Sequence, residues 1–248
     1  MTSDTTQTDA VAAQMEKLRD TIVRARFVLF DFDGPVCRLY AGHAAEKVAG
    51  GLVEWLEQQG MHGLLTPEER EHPDPLVVLH AVDRRRPRSD LVAELEARFT
   101  EQELKAVDTA WPTAYADALI RTWTAVGARL AITTNNSPRT AARYLESRDL
   151  ADCFVPHIYG RTRHLHHLKP DPNCLNRALH ALGADPSKAL MIGDAPSDLY
   201  AAERAGVPFL GYARNPDKEK LLRDAGAEHV VASLETVLEV LRALPSRP

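Results

Sequence analysis

The apolar positions along the chain change period twice. From residue 10 to 26 Val11, Met15, Leu18 and Ile22 fall three or four apart, which predicts an amphipathic helix behind a polar Thr/Ser/Gln/Asp tail. The run Phe27-Val28-Leu29-Phe30 is then uninterrupted and ends in Asp31-Phe32-Asp33-Gly34, as in a buried parallel strand whose C-terminal edge meets solvent. From about residue 38 to 123 no strand pattern occurs. Helical spacing recurs there over 42–59 (Val48, Leu52, Trp55, Leu56), 74–82, 89–99 and 101–122, with Ser89 and Thr100 as expected N-caps and Pro112 expected to start or kink a helix. Beyond residue 124 short apolar runs alternate with helical stretches. Strands are expected over 128–133, 154–159, 189–193, 207–211 and 229–231, and helices over 138–147, 172–182, 197–205, 216–226 and 234–244. Ser137-Pro138 opens one of these helices, and Gly183 and Gly206 close two others.

Strands alternating with helices of about ten residues imply an α/β fold, a parallel sheet covered by helices on both faces. The helical stretch after the first strand is too long for a loop and long enough to bury a core of its own. The expected division is a tail and helix start at 1–20, an α/β core at 21–37 and 125–248, and an inserted all-helical cap at 38–124.

Composition narrows the classes of function. Apolar residues at 44% and charged residues at 26% exclude a mostly disordered or collagen-like chain. No apolar run approaches the ~20 residues of a membrane span. A formal net charge of −5 argues against nucleic acid as a partner. The first nine residues lack the basic and apolar regions of a secretory signal, and Cys37, Cys153 and Cys174 form no spaced pair, so a cytoplasmic protein is expected. A monomer and a homodimer both remain open.

In open α/β sheets ligands bind beyond the carboxyl ends of the strands. Those ends supply Asp31 and Asp33, then Thr134, Asn135 and Asn136, then Lys169-Pro170, and finally Asp194 with Asp198 four residues on. Such a set suits phosphoryl transfer. A carboxylate at Asp31, ionised at pH 7 with a free pKa of ~3.9, can attack phosphorus. Crowded carboxylates need a cation, and Mg²⁺ prefers oxygen ligands, so Asp31 and Asp194 are its candidate holders. Asp33 is placed to serve as general acid and then base. Lys169 offsets charge at Asp31 and the phosphoryl oxygens, and Thr134 and Asn135 are candidate phosphate donors. Asp198 either completes the metal ligands or orients Lys169.

Asp31-Phe32-Asp33-Gly34, Thr134, Lys169-Pro170 and Gly193-Asp194-Ala195-Pro196-Ser197-Asp198 match, in order and spacing, the four motifs of the haloacid dehalogenase (HAD) superfamily, which the chain resembles over residues 27–205. The resemblance implies a Rossmann-like core, Asp31 as nucleophile, Asp33 as acid/base, and Mg²⁺ bound also by the backbone carbonyl of Asp33. The helical insert resembles the C1 cap of subfamily I, as in phosphoglycolate phosphatase-like enzymes. One departure is Pro35, where the family usually carries Thr; proline removes an N–H and a hydroxyl and stiffens the turn.

The expected function is therefore a Mg²⁺-dependent phosphatase of a small phosphorylated metabolite. A phosphomutase of the β-phosphoglucomutase type, a haloacid dehalogenase and a non-catalytic phosphate-binding protein are the alternatives. Elsewhere the plainer expectations prevail. His164, His166 and His167 read as an exposed loop carrying Lys169. Arg84, Arg85, Arg86 and Arg88 read as a solvated face, with an anion grip as the other reading. Arg38 and Tyr40 are possible pocket residues, Trp55, Trp111 and Trp123 are expected in packing, and Cys37 is not expected to be reactive.

Overall fold

The computed structural model describes residues 16–243. The strands are β1 (Phe27–Phe30), β2 (Cys37–Arg38), β3 (Trp111–Pro112), β4 (Arg129–Thr133), β5 (Ile158–Tyr159), β6 (Ala189–Gly193), β7 (Phe209–Tyr212) and β8 (Val230–Val231). Six of them form an all-parallel sheet in the order β5–β4–β1–β6–β7–β8, while β2 and β3 pair as a small antiparallel ribbon. The chain builds outward from β1 to β5, then returns and builds the other way from β6. The order therefore reverses beside β1, which is where α/β sheets open a ligand crevice.

Side chains on β1 alternate between faces. Val28 and Phe30 enter one core with Leu130, Ile132 and Leu190, and Leu29 enters another with Ala131 and Met191. The first face is covered by the helix at 16–24 (α1, through Leu18 and Ile22), by α6 (Ala116–Ala125), and by α7 (Pro138–Ser147), α8 (Ala151–Phe154) and α12 (Glu235–Arg242). The second is covered by α9 (Asn173–Leu182) and α10 (Pro196–Ala205), while α11 (Pro216–Asp224) packs at the β7–β8 edge. Phe30 anchors the first face, its ring meeting Trp123 at 5.8 Å and Phe154 at 6.0 Å, both edge-on. Val11 and Met15, the other expected contacts of the first helix, lie outside the described residues.

The insert is helical, as its spacing predicts: α2 (Ala45–Gln58), α3 (Pro67–Glu71), α4 (Pro75–Arg85) and α5 (Asp90–Val107). Val48, Leu52, Trp55, Val78, Leu79, Leu95 and Phe99 give it a core of its own, closed from below by Leu165 and Leu168 of the main body.

Several boundaries differ from the sequence expectation, each for a physical reason. Thr100 does not cap a second helix; it lies inside a continuous α5, its hydroxyl donating to Glu96 Oε1 at 2.9 Å. The ribbon β2–β3 runs through the supposed strand-free stretch, and two-residue strands carry no readable period. Phe154 ends a short helix instead of opening a strand, so β5 shrinks to two residues. The short helix α3, absent from the sequence reading, starts at a capping box between Thr66 and Glu69. Leu119, Ile120 and Trp123 of α6 pack with Phe30, so α6 goes with the sheet and the insert ends before it, not at residue 124.

Candidate active site

The crevice beside β1 gathers side chains from five segments. Asp31 follows β1 directly, its N–H bonded to Ile192 O of β6 at 2.8 Å. Lys169 arrives on the loop before α9 and is buried. Its ammonium donates to Asp31 Oδ1 at 2.7 Å, Asp198 Oδ1 at 2.6 Å and Thr133 O at 2.8 Å. All three N–H bonds of the ammonium are thus used. Burial works against the charge, but Asp198 and then Asp31 outweigh it and push the Lys169 pKa up, so the lysine is cationic.

Asp198 makes three bonds that hold this arrangement. One oxygen takes Lys169, and Oδ2 accepts the N–H groups of Asp194 at 3.0 Å and Ala195 at 3.1 Å. The geometry shows it orienting Lys169, one of its two expected roles. Gly193 is required by this packing, since a Cβ there would lie 2.4 Å from the Asp198 Cβ. Gly34 is required in the same way: its φ is +131°, and a Cβ would lie 2.5 Å from Asp194 Cγ.

Asp31, Asp194 and Asp198 place carboxylate oxygens within 4.8 Å of one another. With three bonds already on Asp198, Asp31 and Asp194 are the freer side chains for an ion, and such carboxylates suit a hard divalent cation such as Mg²⁺. Burial raises the Asp31 pKa to about 7 in spite of the opposing pull of Lys169, so full ionisation at neutral pH does not follow from the free-residue value. Burial raises Asp194 as well, against Lys218. Asp33 lies at the mouth of the crevice, its Oδ1 accepting the Leu39 N–H at 2.9 Å. Burial holds its pKa at about 7, the range of a group that can both give and take a proton at neutral pH.

Thr134 and Asn135 are present at the end of β4, but their side chains turn inward. The Thr134 hydroxyl donates to Asn136 Oδ1 at 3.0 Å and accepts the Asn136 N–H at 3.1 Å. Asn135 clamps the Lys169 backbone, accepting its N–H at 2.8 Å and donating to its carbonyl at 3.1 Å. The Asn135 side chain, expected to bind phosphate, instead positions Lys169. Pro35 leaves the turn pinned from outside: Thr113 donates its hydroxyl to Gly34 O at 2.5 Å.

Two features escape a motif reading. Lys218, in the first turn of α11, bonds Asp194 Oδ2 at 2.8 Å and Asp194 O at 3.2 Å. Its signal was its place just after a strand, β7. The second is a buried ion pair between Arg161, just after β5, and Glu103 of α5, with Nη1 to Oε1 at 3.0 Å and Nη2 to Oε2 at 2.8 Å. Its signal was equally faint: Glu103 falls in helical register with Phe99 and Ala106 on the buried face of α5.

Beside Asp33 a cleft of about 290 Å³ is lined by Arg38, Tyr40, Ala44, Glu46 and Arg214. Arg38 and Tyr40 therefore face the crevice, and Arg38 also stacks over the exposed Trp111 at 5.3 Å. Arg84 and Arg85 instead pair with Glu69 on the outer face of the cap. Arg88 and the 163–167 loop line other clefts. The histidine rings of that loop meet edge-on or tilted, and among the described residues Asp31, Asp194 and Asp198 are the one group of three or more ligating side chains placed to hold a metal. Cys37 is buried, and burial drives its thiol well above the usual range.

Comparison with known proteins fits this geometry. A phosphoglycolate phosphatase of Rhodospirillum rubrum is 40% identical over 103 residues, which is 40% of this chain and 42% of that protein. Over this first relative the chain thus matches less than half the length. A phosphoglycolate phosphatase of Neisseria meningitidis is 27% identical over 89% of this chain and 95% of its own. Among solved structures, one described as a predicted phosphatase from Clostridium acetobutylicum superposes with a TM-score of 0.67 at 18% identity, covering 89% of this chain and 99% of that one. One described as a predicted phosphoglycolate phosphatase from Haemophilus somnus gives 0.65 at 14%, covering 88% and 98%. At such identities the structures speak for the fold alone. The haloacid dehalogenase-like hydrolase family matches residues 25–206, and the chain belongs to it.

Proposed function

We propose that the protein is a Mg²⁺-dependent phosphatase of a small phosphomonoester and works through an aspartyl-phosphate. The observation that carries this reading is the Asp31–Lys169–Asp198 array beside a second acid, Asp33, whose pKa lies near neutrality. Asp31 and Asp194, with the Asp33 carbonyl, would hold the ion, which when bound neutralises charge on the phosphoryl oxygens and on the carboxylates.

In the first step an Asp31 carboxylate oxygen forms a bond to phosphorus while the ester P–O bond breaks. Asp33 gives its proton to the departing alkoxide. In the second step water attacks the phosphorus, Asp33 takes a proton from it, and the bond from Asp31 to phosphorus breaks to release phosphate. Lys169, fixed by Asp198 and by the Asn135 clamp, favours the ionised form of Asp31 against the effect of burial and faces the charge gathering on the phosphoryl group. A phosphoryl oxygen can draw the Thr134 hydroxyl proton away from Asn136. The cap and the 290 Å³ cleft fit a small soluble substrate, and its chemistry does not call on nucleic acid or membrane partners. A cytoplasmic location accords with this, and among the described residues no helix is long and apolar enough to cross a membrane.

The test is phosphate release from an aryl phosphate with Mg²⁺ and with EDTA, for the native protein and Asp31→Asn. Turnover that needs Mg²⁺ and is lost in the variant is expected; equal rates in the two proteins overturn the assignment.

A further inference from the structure

Lys218 breaks a local rule. The first turn of a helix favours acids, because unpaired N–H groups make that end positive. Yet Lys218 stands there in α11, between Asp217 and Glu219, its N–H accepted by the Asn215 cap at 2.9 Å. Such a violation marks a functional constraint when the side chain has a specific partner. Here the partner is Asp194, which takes two bonds from the ammonium, one at Oδ2 and one at the backbone carbonyl.

The two lysines of the crevice differ in freedom. The Lys169 side chain is 2% exposed and all three of its N–H bonds are taken by fixed groups. The Lys218 side chain is 27% exposed, so water can receive its ammonium when it leaves. Asp194 Oδ2 also faces Gly34, where space for a Cβ is lacking, so the approach to this oxygen is narrow.

We infer that Lys218 is a displaceable counter-ion of the metal site, a positioning residue that occupies the Asp194 carboxylate until a divalent cation replaces it. The inference rests on the proposed function, in which Asp194 holds Mg²⁺. An ammonium and a divalent ion that bind the same carboxylate repel each other across a few ångströms where the dielectric is low, so each weakens the other's hold on Asp194. The exchange keeps the buried Asp194 paired in both states, and removing a partner from a buried charge is the costly alternative. It also weakens the apparent affinity for the metal by the free energy of the bond that must be broken.

Isothermal titration of Mg²⁺ into the native protein, Lys218→Met, Lys218→Gln and Lys220→Met tests this. Met and Gln keep the bulk of the stem and remove the charge. Lys220 lies on the same helix and pairs with Asp224, so its variant controls for loss of a nearby surface charge. The expected result is Mg²⁺ binding roughly ten- to a hundredfold tighter in both Lys218 variants, the worth of one charged hydrogen bond, with Lys220→Met unchanged. Unchanged or weaker binding in the Lys218 variants overturns the inference and leaves the metal site standing, as does an equal gain in Lys220→Met. No Mg²⁺ binding to any of the four proteins overturns both the inference and the metal site.

Discussion

Arg161 and Lys169 are both cations closed off from water on the loop that follows β5, and they keep different company. Arg161 makes five bonds with its five N–H groups: to Glu96 Oε1, to both oxygens of Glu103, to Asn135 O and to the Thr100 hydroxyl. Glu103 in turn also accepts the Asn136 amide at 2.8 Å and the Ser137 N–H at 3.0 Å. Donors and acceptors balance, and the result ties cap helix α5 to the 134–137 loop. Around Lys169 the acceptors are left partly unused, since Asp33 takes only the Leu39 N–H and Asp31 only the Lys169 ammonium among the side-chain bonds, and burial raises both to about pKa 7. A saturated buried network fixes structure. An acid-rich one leaves carboxylates that still need a partner, and that unmet demand suits an ion and an anionic substrate. The two meet through Asn135, whose carbonyl serves Arg161 and whose side chain clamps Lys169.

If this contrast is right, substitutions in the two clusters separate cleanly. The largest effect belongs to Asp31→Asn, which lowers kcat by about 10³-fold or more while the fold persists; steady-state rates with matched circular dichroism check it. Asp33→Asn follows with a loss of about 10²–10⁴-fold, falling on kcat more than KM, since the proton transfer occurs in the transition state. Arg161→Met works the other way. It strands Glu103 and lowers stability by about 3–5 kcal/mol in urea unfolding. Removing Glu103 too, as Leu, does not repair the damage, because the Ser137 N–H and the Asn136 amide then lose their acceptor.

The pH dependence sharpens the comparison further. Asp31 and Asp33 have native pKa values raised from 3.8 to about 7, so between those limits the native state holds protons that the unfolded chain has released. The stability they contribute is complete below pH 4 and is lost as pH rises through 7. In EDTA, Asp31→Asn should therefore gain about 2.5 kcal/mol on the native protein between pH 5 and pH 8, and saturating Mg²⁺ should shrink that gain. The smallest effect belongs to Arg84→Ala. Its partner Glu69 keeps Arg85, the pair lies on the outer cap face, and unfolding should shift by less than about 0.5 kcal/mol.

Much of this was legible in the sequence. An apolar run that stops at an acid, as at Phe30–Asp31 and Gly193–Asp194, gives both the strand and the edge where chemistry collects. The sequence could not tell side chains that face the crevice from those that brace it. Thr134, Asn135 and Asp198 look alike on paper as polar residues at strand ends, and only the fold shows Asn135 and Asp198 gripping Lys169. Lys218 and the Arg161–Glu103 pair left only a faint signal because their partners lie far away in the chain. Thr100 misled because a residue that favours helix starts was spending its hydroxyl on Glu96 and Arg161. The β2–β3 ribbon was too short to carry a period.

The central claim is that phosphorus passes through Asp31. Acid quenching the native protein during Mg²⁺-supported turnover of an aryl phosphate, followed by peptide mass spectrometry, tests it most directly. The account predicts an acid-stable, alkali-labile phosphoryl group on Asp31, absent when Mg²⁺ is withheld. Phosphate release with Asp31 unmodified and the label on another residue, or on none, would contradict it.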